Sequence, residues 1–482
     1  MAALSTTRIQ WLIAAVALLF FVPGLGAVHL FDWDEINFAE IAREMLVTGD
    51  WLQPKMAYEP FHEKPPLFIW LQALSMSVFG AGEFAARLPN AICGVLTLVV
   101  LFRIGDRLQG RTFGLLWCLA YFGSILPHLY FRSGIIDPWF NLFIFLGVLS
   151  LIRASNTAAN EGRTNKEKDR AALFTGLWLG LAVLTKGPVG LLVPGLCVTA
   201  YWALSRFRAV LRIRHLGLMA FTFILVPSLW FGIDLLRNGP TFLLAFFDRQ
   251  MAMLSTEDAG HGGFFGYHFV VLLIGCFPAS IFALQELLKP TRTDARSNDQ
   301  RRWMAILFWV VLILFSIVRT KIVHYSSLCY FPLTYLAALR LQRLWNGERA
   351  TMWPRVLLGA IGSLFALITS VLPFLGMDID IVRPLTANDA FAGGNLEAEV
   401  HWTGLETLAG LCMVFVLFLG HRFFAKADHR KGIPVVFGGT AVFVLVTLYF
   451  FIGRIEGYSQ RAAVEFFQGK ADERCWPVSH GY

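Results

Sequence analysis

The sequence predicts an all-α polytopic membrane protein with about thirteen transmembrane helices and additional juxtamembrane helices, and three observations carry that prediction. Of 482 residues, 56% are apolar and only 15% charged; the mean hydropathy is +0.59. Apolar windows near the ~20-residue length needed to cross a bilayer recur from residue 11 to residue 452. The connections between them are short and charged, which excludes a large soluble enzyme.

The windows fall at about 10–29, 84–102, 112–130, 136–152, 171–186, 188–204, 216–233, 264–285, 303–319, 322–339, 355–375, 403–421 and 434–452. Orientation follows from the placement of Lys and Arg. Arg8 and the connections 103–111, 153–170, 205–215, 287–302, 340–355 and 421–432 hold 26 of the 41 basic residues. Segment 30–66 holds eight acids against three bases, and 376–402 five acids against one. The N-terminus is therefore expected in the cytoplasm, with the acidic segments and the C-terminal tail outside. The net charge of +8 is this membrane bias and does not call for a nucleic-acid partner. Residues 11–28 are expected to be a retained first helix. A spanning domain is expected over 1–452, with external loops 30–83 and 234–263, followed by a short external cap over 453–482.

Within the first external loop, Phe38, Ile41, Ala42 and Met45 recur at helical spacing, so 34–47 reads as an amphipathic helix on the membrane surface. Asp34 and Glu35 fall in its first turn, where exposed amides favour negative charge. Gly49 ends it, and Pro54, Pro60, Pro65 and Pro66 restrict the returning chain. Segment 67–79 is apolar but short, and reads as interfacial or partly embedded. A second surface helix is expected over 240–254. Six of the seven cysteines lie in apolar windows and only Cys475 in the tail, so there is no disulfide framework.

Several charges require a reason. Asp34 could accept a proton from an incoming hydroxyl; as a bare first-turn acid it would need no function. His62-Glu63-Lys64-Pro65-Pro66 holds Lys64 near the surface, where it suits a phosphate or a lipid headgroup. Arg132 and Asp137 flank one mouth and could form an ion pair, yet a carboxylate near hydrocarbon depth asks for a polar cavity. Lys186, Arg319 and Lys321 place positive charge where the external face should lack it, as an anionic ligand or lipid headgroups would require. Glu63, Asp258 and His261 could hold a divalent metal of unspecified identity. No Walker, dinucleotide or nucleophile-elbow motif is present, so a lipid-phase donor would replace a nucleotide one.

The blocks F-D-W-D-E-I-N-F-A-E-I-A-R-E-M, F-H-E-K-P-P-L-F-I-W, G-A-G-E-F-A-A-R-L-P, R-S-G-I-I-D-P-W-F, L-T-K-G-P-V-G and R-T-K-I-V-H-Y occur in this order between about 31 and 332. Together they resemble the polyprenyl-phosphate-dependent glycosyltransferases of the protein mannosyltransferase superfamily, particularly the bacterial aminoarabinose transferase-like proteins. The resemblance implies a GT-C architecture and transfer of a sugar from a lipid phosphate at the outer face of the cytoplasmic membrane. The acceptor would be an envelope glycolipid, polysaccharide or protein. It implies Asp34 as catalytic base with Glu35 in support, Lys64 at the donor phosphate, Glu63 as a positioning group or metal ligand, and Asp137 as the later catalytic-cavity acid. Arg43, Arg319 and Lys321 are further phosphate candidates, and Lys186 and Tyr325 positioning candidates. His261 resembles a polar site of the second loop, although H-G-G-F-F-G-Y departs from the family pattern, as does His324. A lipid or lipid-linked sugar transporter is the alternative; formation of a covalent product separates the two.

Overall fold

The computed structural model describes residues 5–31, 33–255, 262–290 and 294–474. Among the described residues, the regular structure is helical apart from one two-stranded hairpin. Asp258, His261 and Cys475 lie outside the described residues.

Helix α1 (Thr6–Phe21) leads into a loop that reaches the surface helix α2 (Asp34–Thr48). Gly49 closes α2 with φ +70°, a left-handed position that costs glycine nothing. The expected amphipathic helix thus forms within a residue of its anticipated bounds, and it buries Phe38, Ile41, Ala42 and Met45. A hairpin follows, β1 (Lys55–Met56) paired with β2 (Glu59–Pro60). Its turn residues Ala57 and Tyr58 both have positive φ, a conformation disfavoured for residues with a Cβ. The buried Glu44 carboxylate accepts the Tyr58 N–H at 2.9 Å and holds the turn to α2. The apolar α3 (Leu67–Phe79) packs beneath α2, with Ile69, Ala73 and Met76 against Ile41, Ala42 and Met45.

The membrane body begins with α4 (Glu83–Gln109), α5 (Arg111–Phe122) and the short α6 (Ile125–Leu129). It continues through α7 (Asp137–Ala154), α8 (Asn165–Lys186), α9 (Val189–Leu204) and α10 (Ile213–Asn238). The second surface helix, α11 (Thr241–Ser255), precedes α12 (Tyr267–Gly275), α13 (Ala279–Leu288) and α14 (Ala295–Ile317). A 3-10 segment, Val323–Cys329, joins α14 to α15 (Tyr330–Trp345). The chain ends with α16 (Met352–Met377), α17 (Ala390–Asn395), α18 (Thr407–Ala425), α19 (His429–Gly457) and α20 (Arg461–Gly469).

Among the described residues, seven helices are long and apolar enough to cross a membrane: α4, α7, α10, α14, α16, α18 and α19. Counting each bent pair as one span gives nine, since α5 and the 125–132 segment meet at 81° and α12 and α13 at 119°. The expected count of about thirteen is therefore not reached. Hydropathy windows register apolarity without seeing a bend, and they also counted α1 and α9, of 16 residues each. The window at 322–339 is part 3-10 segment, and α8 opens on charged residues.

One buried network fixes the end of the body that carries α2. Arg87 of α4 pairs with Glu35 of α2 at 2.7 Å, the two side chains being 4% and 6% exposed. Arg87 also donates to the carbonyls of Leu25, Val28 and His29. Glu35 in turn accepts from the backbone N–H groups of Phe31 and Gly134. One turn along α4, Asn90 donates to the carbonyls of Ser133 and Ile135, each at 2.6 Å. The loop entering α2 and the loop entering α7 are thus both tied to α4.

Removing the Glu35 carboxylate would leave Arg87 charged and buried. Glu35→Ala is expected to lower stability by about 3–5 kcal/mol, measured by unfolding of the protein in detergent. The half-exposed Glu40–Arg43 pair, at 2.7 Å on the same helix, is the comparison, and Glu40→Ala should cost only about 0–1 kcal/mol. Equal losses from the two variants would show that the buried pair is not the anchor.

Candidate active site

The starts of α2 and α7, the end of α8 and the 3-10 segment after α14 meet at one end of the body. Asp34 is the first residue of α2 and Asp137 the first of α7; Lys186 is the last of α8. Lys186 Nζ donates to Asp137 Oδ1 at 2.6 Å, with both side chains largely withdrawn from solvent. His324 Nε2 lies 3.8 Å from Asp34 Oδ2 and 3.9 Å from Asp137 Oδ2. Ser327 Oγ donates to the His324 carbonyl and so holds that residue in place, while accepting from Asn141 Nδ2 of α7 at 2.7 Å and contacting Tyr130 Oη at 2.7 Å. Lys186 also sits 5.5 Å from the centre of the Tyr325 ring, a cation–π distance.

Lys64 enters from the loop before α3, its side chain 12% exposed. Burial pulls its ammonium below the ordinary lysine range, against the attraction of Glu63, while Lys186 lowers it further. The nearest carboxylate, Glu63, is 3.9 Å away, too far for a hydrogen bond. Glu63 is engaged from the other side by Arg249 of α11 at 3.4 Å. Helix α11 reaches this position because Phe242 and Phe246 pack on Trp230 of α10. Gly187, at the end of α8, lets the Phe246 ring close in: a Cβ there would fall 2.5 Å from Phe246 Cζ. Arg237 with Asp50 at 3.2 Å and Trp230 Nε1 with the Leu52 carbonyl at 2.9 Å tie the same region to the first loop.

Three expected candidates point elsewhere. Arg43 lies nine residues beyond Asp34, about 13 Å along the helix, and forks onto Glu40. Lys321 is buried with its ammonium on the carbonyls of Phe315, Ser316 and Val318, where it caps α14; helix C-termini favour cations there. Arg319 is exposed and is not among the side chains that meet at Asp137. Arg132 does not pair with Asp137 but donates to the carbonyls of Phe20 and Pro23 at the end of α1. Glu35 supports Asp34 from behind through the Arg87 network. The residues not anticipated are Arg87, Arg249 and His324; the last was visible only as a departure from a family pattern.

Asp34, Asp137 and His324 offer three ligand atoms within 4.8 Å of one another, a set that could hold a metal ion. Asp137 Oδ2 is buried without a hydrogen-bond partner in the described structure, so an electrophile or donor would be accommodated there. Burial holds His324 below the usual imidazole value, opposed by Asp137, which favours the neutral ring that can ligate. Glu63 stands apart from this cluster.

A cavity of about 870 Å³ lies beside this pocket and is lined by Leu25, Phe31, Glu35, Arg87, Leu445 and Tyr449 among others. Its walls are mainly apolar, and Asp34, Lys64, Asp137 and His324 do not line it.

A family model described as dolichyl-phosphate-mannose-protein mannosyltransferase matches residues 63–231. The crystal structure of ArnT from Cupriavidus metallidurans bound to undecaprenyl phosphate superposes with a TM-score of 0.77 at 21% identity, covering 98% of this chain and 82% of that one. The fold is all-α and GT-C-like, the architecture of that ArnT. The apo state of the same ArnT gives a TM-score of 0.75. The undecaprenyl phosphate-alpha-4-amino-4-deoxy-L-arabinose arabinosyl transferase of Enterobacter sp. (strain 638) is 28% identical over 366 residues, 74% of this chain and 64% of the relative. That of Erwinia tasmaniensis is 27% identical over 338 residues, 69% of this chain and 59% of the relative. The chain thus spans under two thirds of the length of these relatives. It is similar to these arabinosyl transferases over about 70% of its length, and to the mannosyltransferase family model over residues 63–231.

Divalent-cation binding tests the three-residue set. His324→Ala should weaken Zn²⁺ or Mn²⁺ binding by about ten-fold or more, equivalent to about 1.4 kcal/mol, in calorimetric titration of the purified protein. Lys186→Met, which removes a positive charge from Asp137, should strengthen it. Unchanged affinity in both variants would exclude the cluster as the cation site.

Proposed function

We propose that the protein transfers a glycosyl group from a polyprenyl-phosphate donor to an envelope glycolipid, polysaccharide or protein. The observation that carries this reading is Lys64: a buried ammonium with its nearest acid 3.9 Å away, a few residues from α3 and facing Asp34. A buried charge without a close partner is costly, and a phosphate would offset that cost. The undecaprenyl phosphate bound to the Cupriavidus enzyme and the donor named for the arabinosyl transferases support a lipid phosphate. They also make 4-amino-4-deoxy-L-arabinose the first sugar to test. The adjoining apolar cavity offers volume for a hydrocarbon chain.

In this reading the acceptor hydroxyl attacks the anomeric carbon while Asp34 takes the hydroxyl proton. The bond from the anomeric carbon to the phosphate oxygen breaks, its electron pair remaining on the phosphate, where Lys64 and Arg249 stabilise the charge. Phosphate leaves without protonation, so a second acid is not required, and one-step displacement inverts the anomeric centre. Asp137, oriented by Lys186, positions sugar or acceptor. A divalent cation held by Asp34, Asp137 and His324 would add electrostatic stabilisation at the same place. The Lys and Arg distribution supports a cytoplasmic N-terminus and a reaction on the outer face.

Asp34→Asn should insert into the membrane normally and lose transfer by about two to four orders of magnitude, read as glycosylated product by mass spectrometry with purified protein and donor; normal turnover would reject the base. Because burial depresses the Lys64 ammonium below the ordinary value of 10.5, it loses its charge earlier than an ordinary lysine as pH rises. Donor kcat/KM should therefore fall on the alkaline side before that value is reached, and Lys64→Arg, which stays charged, should move the fall upward. A fall at the same pH in both proteins would assign it to another group.

A further inference from the structure

At the end of the body remote from Asp34, four arginines from four segments line one cavity of about 150 Å³. Arg107 comes from the last turn of α4, Arg153 from the last turn of α7, Arg163 from the connection before α8, and Arg296 from the start of α14. Asp137 and Arg153 begin and end α7, so the cavity lies about 24 Å along that helix from the candidate active site. Among the described residues, no carboxylate lines it. The acid contact of the group is Arg163 with Glu167, at 4.0 Å, and Arg153 faces Arg163 and Arg107 as its charged neighbours.

A cytoplasmic charge bias explains basic residues in loops but not their convergence on one enclosed space. Four guanidinium groups brought together repel one another unless an anion lies between them. Their planar donor forks match phosphate oxygens, and the volume suits one phosphate or diphosphate. The site is also built. Asn160, 2% exposed, lines the cavity and donates to the carbonyls of Arg153 and Ser155, which fixes the loop. Its Oδ1 is buried without a partner in the described structure, as the hydroxyl of a singly protonated phosphate or a water would require. Ile104, Leu108, Leu149 and Ile152 form the apolar part of the wall.

We propose that this cavity binds a phosphate group, carried by an anionic phospholipid or by a soluble phosphate, and so clamps α4, α7 and α14 together at the face opposite the active site. The proposal stands independently of sugar transfer. Full-length protein would be examined in two arms. Native mass spectrometry would compare retention of phosphatidylglycerol and phosphatidylcholine; thermal unfolding would compare inorganic phosphate and diphosphate with chloride at equal ionic strength. Arg107→Gln/Arg296→Gln removes two exposed members of the set. Arg206→Gln/Arg208→Gln removes two exposed charges outside the cavity, on a loop joined to the same region through the Asn156 N–H and the Val210 carbonyl.

The expected result is a phosphate-bearing ligand bound about ten-fold more weakly or worse by the first variant, a loss of about 1.4 kcal/mol, with the second variant like the parent. Retention of phosphatidylglycerol without a diphosphate response identifies a lipid headgroup; the reverse identifies a soluble phosphate. Equal weakening in both variants would mean diffuse charge and overturn the site, as would the absence of any phosphate response in either arm.

Discussion

The Glu35–Arg87 ion pair is the constraint on which the arrangement of the active end depends. Asp34 precedes Glu35 in the chain, and Gly134, whose N–H donates to the Glu35 carboxylate, lies three residues before Asp137. A single buried carboxylate therefore fixes the starting points of two helices that each open on an acid. Arg87 takes up three further carbonyls of the loop before α2, so the guanidinium is satisfied at several positions, as a charge at this depth requires. An Arg→Lys change would keep the charge but lose the fork that reaches four partners.

Given that frame, the polar side chains divide by engagement. Lys186 is committed to Asp137 and Arg249 stands against Glu63, whereas Lys64 lacks a close acid. The acids divide likewise: one oxygen of Asp137 is held and the other buried without a partner. The pocket thus offers one weakly engaged cation and one unpartnered acceptor a short distance from Asp34. A set of mutually neutralised pairs would bind no anion, and an equal number of unpaired charges would not remain buried.

Much of this was legible in the sequence where the signal is local. The period of Phe38, Ile41, Ala42 and Met45 gave α2, Gly49 its end, and the apolar stripe the second surface helix. Asp34, Lys64, Asp137 and Lys186 could be singled out because charge beside hydrocarbon demands a reason. Partners were not legible, since they join distant segments: Asp137 was set beside Arg132, five residues away in the RSGIID run, but pairs with Lys186 nearly fifty residues on. Lys321 met the same criterion as Lys64 and serves instead as a helix cap. Charge at a membrane edge reports that a polar partner exists, but backbone carbonyls satisfy that demand as well as a ligand does. The span count goes unconfirmed for a related reason: hydropathy records what a segment can bury, while bends such as that between α12 and α13 depend on packing.

The location of the pocket follows from the same physics. Within a bilayer, backbone polar groups left unpaired at helix ends must be buried in protein or line a hydrated space. Four such breaks meet here: the starts of α2 and α7, the end of α8 and the 3-10 segment before α15. The helix dipoles act in the sense of the side chains they carry, with Asp34 and Asp137 in first turns and Lys186 in a last turn. The helix ends therefore act in the same sense as the Lys186–Asp137 pair rather than against it. A proton acceptor at the head of one helix, a fixed carboxylate at the head of another and a cation beside both can then face a single reacting centre.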